Sequence, residues 1–398
     1  MRTALIAADQ RTDTGALRAG LLLAGRSVLE WQVELAQTLG CERIICLCEA
    51  PGAAVLDVQK QVEAAGGDFH ALRGTLKLVG LVRADDELVM LRDGLVIDPA
   101  LALELACEGD ALRKGVLTLP ASHVLAEDHP EDFERIDRDR SWAGLAIMGA
   151  GQVQKLADLP PDGDVMSLLL RLALQARVEC RELPLSVAES DGWMLATGTE
   201  ALARRERALI DASAAQSAWT GPGRALAATT VRRIAPRWLE SGVEVSAIGT
   251  VLLMVSGFAL AAMGYGTAGL GLAALAALGG AFAESWARLR SALWPKARGG
   301  HVRAWIGLFV DLASVGVLTV ALATNTDQLP ILALPAITIG LARYCGSVGE
   351  GKIAVFWRDR ALHLAMLAIT APFGLLGEAL ALFGLGAIAQ LLMRKGPV

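Results

Sequence analysis

The sequence predicts an α/β domain with a mostly parallel sheet, followed by an all-α polytopic membrane domain of six transmembrane helices. Three observations predict this fold class. First, charge is unevenly spread: Met1–Glu240 carries 26 Lys+Arg against 35 Asp+Glu, and Ser241–Val398 carries 11 against 7, so the net of -5 divides into -9 and +4. Second, the front half alternates short apolar runs with helical periodicity. Third, the back half is a series of apolar runs whose connections are basic in every second place. With 54% hydrophobic residues and a mean hydropathy of +0.45, the chain is too apolar for an ordinary soluble protein. Two domains that meet different solvents account for the asymmetry.

In the front half, "TALIAA" reads as a strand, "SVLEWQVELAQTLG" as a helix and "CERIICLCE" as a second strand. The helix brings Val28, Leu29, Val33, Leu35 and Leu39 into its turns, and Gly40 stops it. The run "RIICLC" is continuously apolar, as a strand covered on both faces should be. Next, "VLDVQKQVEAAGG" is a helix with a glycine stop, and "ELVMLRDGLVID" is a strand broken by an Asp-Gly turn. This alternation predicts a largely parallel sheet covered by helices, here assigned to residues 1–212. The six cysteines (Cys41, Cys46, Cys48, Cys107, Cys180, Cys345) show no CxxC spacing and no histidine at metal-ligand spacing, so they read as reduced, mostly buried thiols. "MRTALIAADQRTD" has an apolar run too short for a signal-peptide core, so this domain is expected to stay in the cytoplasm.

Residues 213–240 form the connection. Gly221-Pro222-Gly223 interrupts it, and the basic "TTVRRIAPRW" reads as an interfacial helix. From 241 to 398, apolar runs recur at Val243–Tyr265, Gly266–Ala283, Ala304–Thr324, Leu329–Leu341, Ala361–Leu375 and Ala379–Met393. Several approach the ~20 residues that cross a bilayer core. "TVLLMVSGFALAAMG" and "LGLAALAALGGAFA" show no polar face of the soluble amphipathic kind. Arg232, Arg233 and Arg237 precede the first run. Arg288, Arg290, Lys296, Arg298 and Arg303 lie between the second and third, and Arg343, Lys352, Arg358 and Arg360 between the fourth and fifth. Arg394 and Lys395 follow the last, while "NTDQ" and "FGLLGE" carry no Lys or Arg. The positive-inside rule makes this six spans in a bacterial-type inner (cytoplasmic) membrane, with both termini cytoplasmic. Gly269, Gly271, Gly279 and Gly280 suit the second span to a central, closely packed place. Asp311 is the acid well inside a span, a functional-site candidate whose plain alternative is a packing interaction.

Two resemblances follow from these residues. "TALIAADQR" through "LLLAGRSVLEWQVELAQTLGCERIICLCE", with the later "DGWMLATGTEALARRERAL", resembles the sugar-nucleotide and molybdopterin type nucleotidyltransferases over about Met1–Leu209. In that family a Gly-rich loop lets backbone N–H groups approach nucleotide phosphates. Here the corresponding stretch, Ala7-Ala8-Asp9-Gln10-Arg11-Thr12-Asp13, has no glycine and two acids. Ala19-Gly20-Leu21 stands in the neighbourhood of the family's lysine, while Arg11, Arg18 and Arg26 are cations without a positional match. Asp93 matches the metal-binding aspartate, although Asp93-Gly94 is also an ordinary turn. Met194, Leu195 and Ala196 follow Trp193, where the second acid would be.

Joined to six spans, such a domain resembles fusions of the CDP-alcohol phosphatidyltransferase superfamily. That superfamily's signature, D-x2-D-G-x2-A-R-x8-G-x3-D-x3-D, spans the end of the second span and the start of the third. The resemblance implies two divalent metals on the pyrophosphate and an aspartate as base. "GGAFAESWARLRSAL" supplies the pair Ala287-Arg288, with Gly280 and Ala283 in place of the first two aspartates and Glu284 in place of the glycine. At the family's spacing the last two aspartates become His301 and Trp305; a longer loop keeps Gly307-x3-Asp311 and then meets Val315.

The expected catalytic residues are therefore Glu284 and Asp311, and the expected metal ligands are Asp93 and Asp311, with Mg2+ or Mn2+ if the protein is active. Arg288, Arg343, Arg358 and Arg360 are the expected cofactor-binding cations, in a cup that would attract lipid phosphates; interface anchoring is the plain reading of the basic loop. The expectation is a diverged or non-catalytic member linked to phospholipid head-group synthesis. Its partners would be membrane lipids, a CDP-linked lipid or nucleotide, and an active homologous synthase or a second copy in a homodimer; no nucleic acid is expected. A transporter with a regulatory domain, or a membrane-tethered nucleotide-binding protein, are the rival readings.

Overall fold

The computed structural model describes residues 1–398 apart from 160–162, 214–218, 240, 295–299, 324–332, 350 and 395–398. The chain forms two compact units, Met1–Glu206 and Arg207–Val398.

In the first unit, a seven-stranded sheet is built from β1 (Arg2–Ala7), β2 (Arg43–Leu47), β3 (Asp68–Leu72), β4 (Glu87–Leu91), β5 (Gly115–Pro120), β6 (Arg140–Gly149) and β7 (Cys180–Glu182). Their spatial order is β7-β5-β6-β4-β1-β2-β3. β1 pairs in parallel with β2 and β4, β2 with β3, and β5 with β7. β6 pairs antiparallel with both β4 and β5, so it alone is reversed. The mostly parallel sheet is thus as the alternation predicts.

Both faces are buried, which explains the continuous apolar runs. Ala4, Ile6, Ile44 and Cys46 point into one core with α1 (Val28–Thr38) and α2 (Ala53–Ala64). Leu5, Ala7, Ile45 and Leu47 point into the other with α3 (Val165–Gln175). Helix α1 starts where Ser27 and Glu30 cap each other reciprocally, and Gly40 takes the left-handed backbone that ends it. The Asp93-Gly94 turn appears as read, with Gly94 at φ 74° between β4 and the short strand Leu95–Ile97.

The second unit is helical: α4 (Pro222–Trp238), α5 (Gly242–Ala262), α6 (Gly266–Leu293), α7 (Gly300–Ala323), α8 (Leu334–Val348), α9 (Gly351–Arg358), α10 (Arg360–Thr370) and α11 (Leu376–Arg394). Four segments are long and apolar enough to cross a membrane: Gly242–Ala262, Gly266–Leu293, Ala304–Ala323 and Leu376–Met393. The fourth and fifth expected spans correspond to shorter helices. α8 has 15 residues, and residues 329–332 of that expected span lie outside the described residues. α10 has 11 residues, extended by a 3-10 turn to Phe373.

Helix α6 occupies the centre, packing against α4, α5, α7 and α10. It crosses α5 closely: a Cβ on Gly269 would stand 2.6 Å from the Gly257 carbonyl, and one on Gly257 would stand 2.8 Å from that of Gly269. The expected basic loops need correction: Arg343, Arg358 and Arg360, expected between the fourth and fifth spans, lie in α8, α9 and α10. Arg288 and Arg290 are not in a loop, because α6 continues to Leu293 beyond its apolar stretch. Buried Ser285, Trp286, Leu289 and Leu293 hold those extra turns, with the Trp286 ring lying where a Cβ on Gly242 would be.

Candidate functional site

Packing of α4, α6, α7, α8 and the α9–α10 junction leaves a cavity of about 450 Å3, lined by Arg224, Glu284, Arg288, Asp311, Arg343, Arg358 and Arg360, among others. All six residues singled out in this half of the sequence therefore line one cavity, although they come from five helices. Asp93 lies in the other unit.

The carboxylates and guanidiniums are interlocked. Arg360 Nε and Nη2 donate to Asp311 Oδ1 and Oδ2 at 2.8 and 2.9 Å, and Arg360 Nη1 donates to Glu284 Oε1 at 2.6 Å. A planar fork across both carboxylate oxygens is the strong form of this pair. Arg343 Nε lies 3.2 Å from Asp311 Oδ1. Arg343 also donates to the Trp357 carbonyl at 3.1 Å and to Nδ1 of the fully buried His363 at 3.3 Å. Because a guanidinium only donates, Nδ1 is the acceptor and the ring proton sits on Nε2. The imidazole is held edge-on against Phe383 and Phe356, with centroids 4.6 and 5.1 Å away. The result is a polar chain, His363–Arg343–Asp311–Arg360–Glu284, that ties α10, α8, α7 and α6 together.

Gly307 makes room for this arrangement. A Cβ there would stand 2.9 Å from Arg360 Nη2. Arg358 is aimed by donating Nε to the Gly346 carbonyl at 2.6 Å. Arg288 donates to Ser285 Oγ and to the Glu284 carbonyl, both at 3.3 Å.

Two residues of the site lie outside the sequence expectations. Arg224 comes from α4, three residues past the glycine that breaks the connection. Asp359 is fully buried between the two arginines of "RDR". Its Oδ2 accepts from the N–H groups of Gly223 (2.8 Å) and Arg224 (3.4 Å), and its Oδ1 from that of Leu362 (3.1 Å). One carboxylate thus caps the starts of α4 and α10 at once and fixes the backbone of Arg224 and Arg360. A Cβ on Gly223 would lie 2.7 Å from Asp359 Oδ1, so only glycine permits the contact. An Asp one residue before a helix was the available signal for Asp359, and the Gly-Pro-Gly break for Arg224.

In the first unit, Asp93 follows β4 and is fully buried. Its Oδ2 accepts the Gln10 backbone N–H at 2.7 Å, while Oδ1 has no hydrogen-bond partner. Burial pushes this carboxyl up to about 7, with the Gln10 N–H opposing and Asp9 adding to the rise. The three candidate cations have partners inside the unit: Arg11 on the Gly15 carbonyl, Arg18 on Asp132 at 2.7 Å, and Arg26 on Glu34. Trp193 donates Nε1 to the Ala143 carbonyl, and the strand it begins, Trp193–Leu195, pairs with Leu95–Ile97. The segment where a second acid would stand is sheet.

A divalent metal does not fit either place. Among the described residues, no group of three or more His, Cys, Asp or Glu is placed to hold one. Asp93 gives one carboxylate turned toward a backbone N–H, and both oxygens of Asp311 and Oε1 of Glu284 face guanidiniums.

No protein-family model and no curated protein matches the chain. Solved structures do match. The inositol-1-phosphate CTP transferase from T. maritima is 13% identical, with a TM-score of 0.34 over 46% of this chain and 85% of that one. A Bacillus anthracis protein described as a glucose-1-phosphate thymidylyltransferase, in complex with sucrose, is 10% identical, with a TM-score of 0.37 over 52% of this chain and 94% of that one.

Proposed function

We propose that the chain is a six-span membrane protein of the CDP-alcohol phosphatidyltransferase type, joined to a nucleotidyltransferase-like domain, and that it recognises phosphate-bearing lipid head groups without catalysing their transfer. One observation supports this reading: among the described residues, five arginines and two carboxylates line a single cavity, which holds the Ala287-Arg288 segment that resembles the signature. The charge balance of those side chains is positive, so the cavity attracts phosphate, which arginine forks bind well.

The non-catalytic part follows from chemistry. Transfer of a phosphatidyl group needs its pyrophosphate charge neutralised and a base for the attacking hydroxyl. In this cavity, both oxygens of Asp311 and Oε1 of Glu284 are paired with Arg360 or Arg343, which disfavours either carboxylate as the base. The N-terminal unit is read in the same way: Asp93 already occupies the Gln10 N–H of the loop that would approach a nucleotide phosphate.

Protein purified in detergent should release no CMP from a CDP-linked lipid with Mg2+ or Mn2+ across a panel of alcohols, and should co-purify with an active homologous synthase. Turnover that Asp311→Asn abolishes would overturn the non-catalytic reading. A reporter fused at Asn325 should lie outside the cytoplasm; a cytoplasmic signal there would break the six-span topology.

A further inference from the structure

We infer that Arg360 is a resident cation standing where a divalent metal would otherwise bridge the site's carboxylates, so that this cavity takes a phosphate monoester or diester with no metal ion. The phosphate half of this inference rests on the reading above; the exclusion of metal rests on geometry alone. Three oxygens of two carboxylates from different helices converge on one guanidinium: Asp311 Oδ1 at 2.8 Å, Asp311 Oδ2 at 2.9 Å and Glu284 Oε1 at 2.6 Å. Mg2+ or Mn2+ would need those lone pairs at about 2.0–2.2 Å. It would also stand beside the second guanidinium, Arg343, which lies 3.2 Å from Asp311.

The surrounding backbone supports the guanidinium rather than an ion. Gly307 lacks the Cβ that would press on Arg360 Nη2 at 2.9 Å. Gly280, where the resembled signature has an aspartate, faces Val310, whose Cγ2 would lie 3.1 Å from a Cβ there. A side chain at that point would press on Val310, which would have to give way by a few tenths of an ångström. Asp359 holds the start of α10 through the Leu362 N–H, so Arg360 leaves the helix end in a fixed direction. With both acids matched by Arg360 and Arg343, and Asp359 turned to backbone N–H groups, Arg224 and Arg358 add their charge to the cavity. That set repels a dication and attracts a dianion, and a guanidinium, unlike a metal, cannot be removed by a chelator.

The test uses the full-length protein in a maltoside detergent, which carries no phosphate. Mn2+ is titrated and its free electron paramagnetic resonance signal followed. Separately, inorganic phosphate and phosphatidic acid are titrated by thermal shift, each with EDTA and with excess Mg2+. The free Mn2+ signal should match that of protein-free buffer, and phosphate should raise the melting temperature equally with EDTA and with Mg2+. Arg358→Gln touches neither carboxylate; it should weaken phosphate binding about tenfold and leave the metal independence unchanged. A stabilising effect of phosphatidic acid but not of free phosphate would assign the ligand to the lipid. Loss of about one equivalent of Mn2+ signal, reversed by Asp311→Asn, would overturn the inference, and so would phosphate binding that requires Mg2+. Silence toward phosphate under every condition, with Mn2+ also unbound, would sink the phosphate reading while leaving Arg360 as the cation of the site.

Discussion

Asp93 in the N-terminal unit and Asp311 in the helical unit are both carboxylates that resemblance marks as metal ligands, yet their surroundings differ. Asp93 is sealed: no part of it reaches solvent, one oxygen takes a backbone N–H, and burial raises its pKa to about 7. Asp311 faces an open cavity and is held by two guanidiniums. A carboxylate withdrawn from water can become neutral or can gain a protein cation. Burial raises the Asp93 carboxyl in the first unit, and guanidiniums pair with Asp311 in the second. Only the second arrangement leaves a cavity with charge for a ligand, which is why the functional reading rests on the helical unit.

The largest effect of a single substitution that could break this comparison is expected at Arg360. Arg360→Ala takes their shared partner from Glu284 and Asp311, and for this partly buried network the loss falls below the 3–5 kcal/mol of a fully buried ion pair, at about 2–3 kcal/mol. Thermal unfolding in detergent should show it as a large drop in midpoint, with Arg360→Lys intermediate because ammonium lacks the fork. A midpoint within a degree of wild type would mean that the network contributes nothing.

The Asp93 side is tested by pH. Its folded-state pKa of about 7 lies above the unfolded value near 3.9. Between about pH 4 and pH 7 the native state therefore holds a proton that the unfolded chain has lost. Stability should fall as pH rises through that window, by at most roughly 4 kcal/mol, and level off above it. Asp93→Asn, still able to accept the Gln10 N–H, should abolish the slope. Hydrogen exchange of β1 and β4 at pH 5.5 and 8 reads it within the unit; a flat wild-type profile would refute the assignment.

Smaller effects sharpen the helical side. Asp359→Ala removes the acceptor for three N–H groups and should cost about 2 kcal/mol. It should also weaken phosphate binding, because Arg224 and Arg360 lose their fixed starting points. If phosphate affinity survives the loss of the cap, Asp359 serves only the fold. Gly307→Ala should be smaller still, about 1–2 kcal/mol of overpacking against the Arg360 guanidinium. Its signature would be weaker phosphate binding with unchanged helix content by circular dichroism.

Much of the fold is legible in the sequence. The Ser27–Glu30 cap, the glycine at 40 and the two-sided apolar runs of β1 and β2 specify their elements through local geometry and solvent exclusion alone. The end of α6 is less legible, because hydropathy stops near Ala283 whereas buried Trp286 and Leu289 carry the helix onward. For the cavity, a carboxylate within an apolar run marks Asp311, and the clusters of arginine between apolar runs mark Arg288, Arg343, Arg358 and Arg360. Arg224 and Asp359 escape such reasoning, since each reads locally as an ordinary linker charge or helix cap.

The sequence by itself determined an α/β unit and a helical unit with apolar spans, because periodicity and hydropathy are properties of neighbouring residues. The tertiary structure decided which charge meets which. Glu284 and Arg360 are 76 positions apart, and Gly223 and Asp359 are 136 apart. Over such separations, only the packing of α4, α6, α7 and α10 brings a carboxylate to a guanidinium or to a backbone N–H. Whether an acid waits for a metal or already holds its cation is fixed by those contacts.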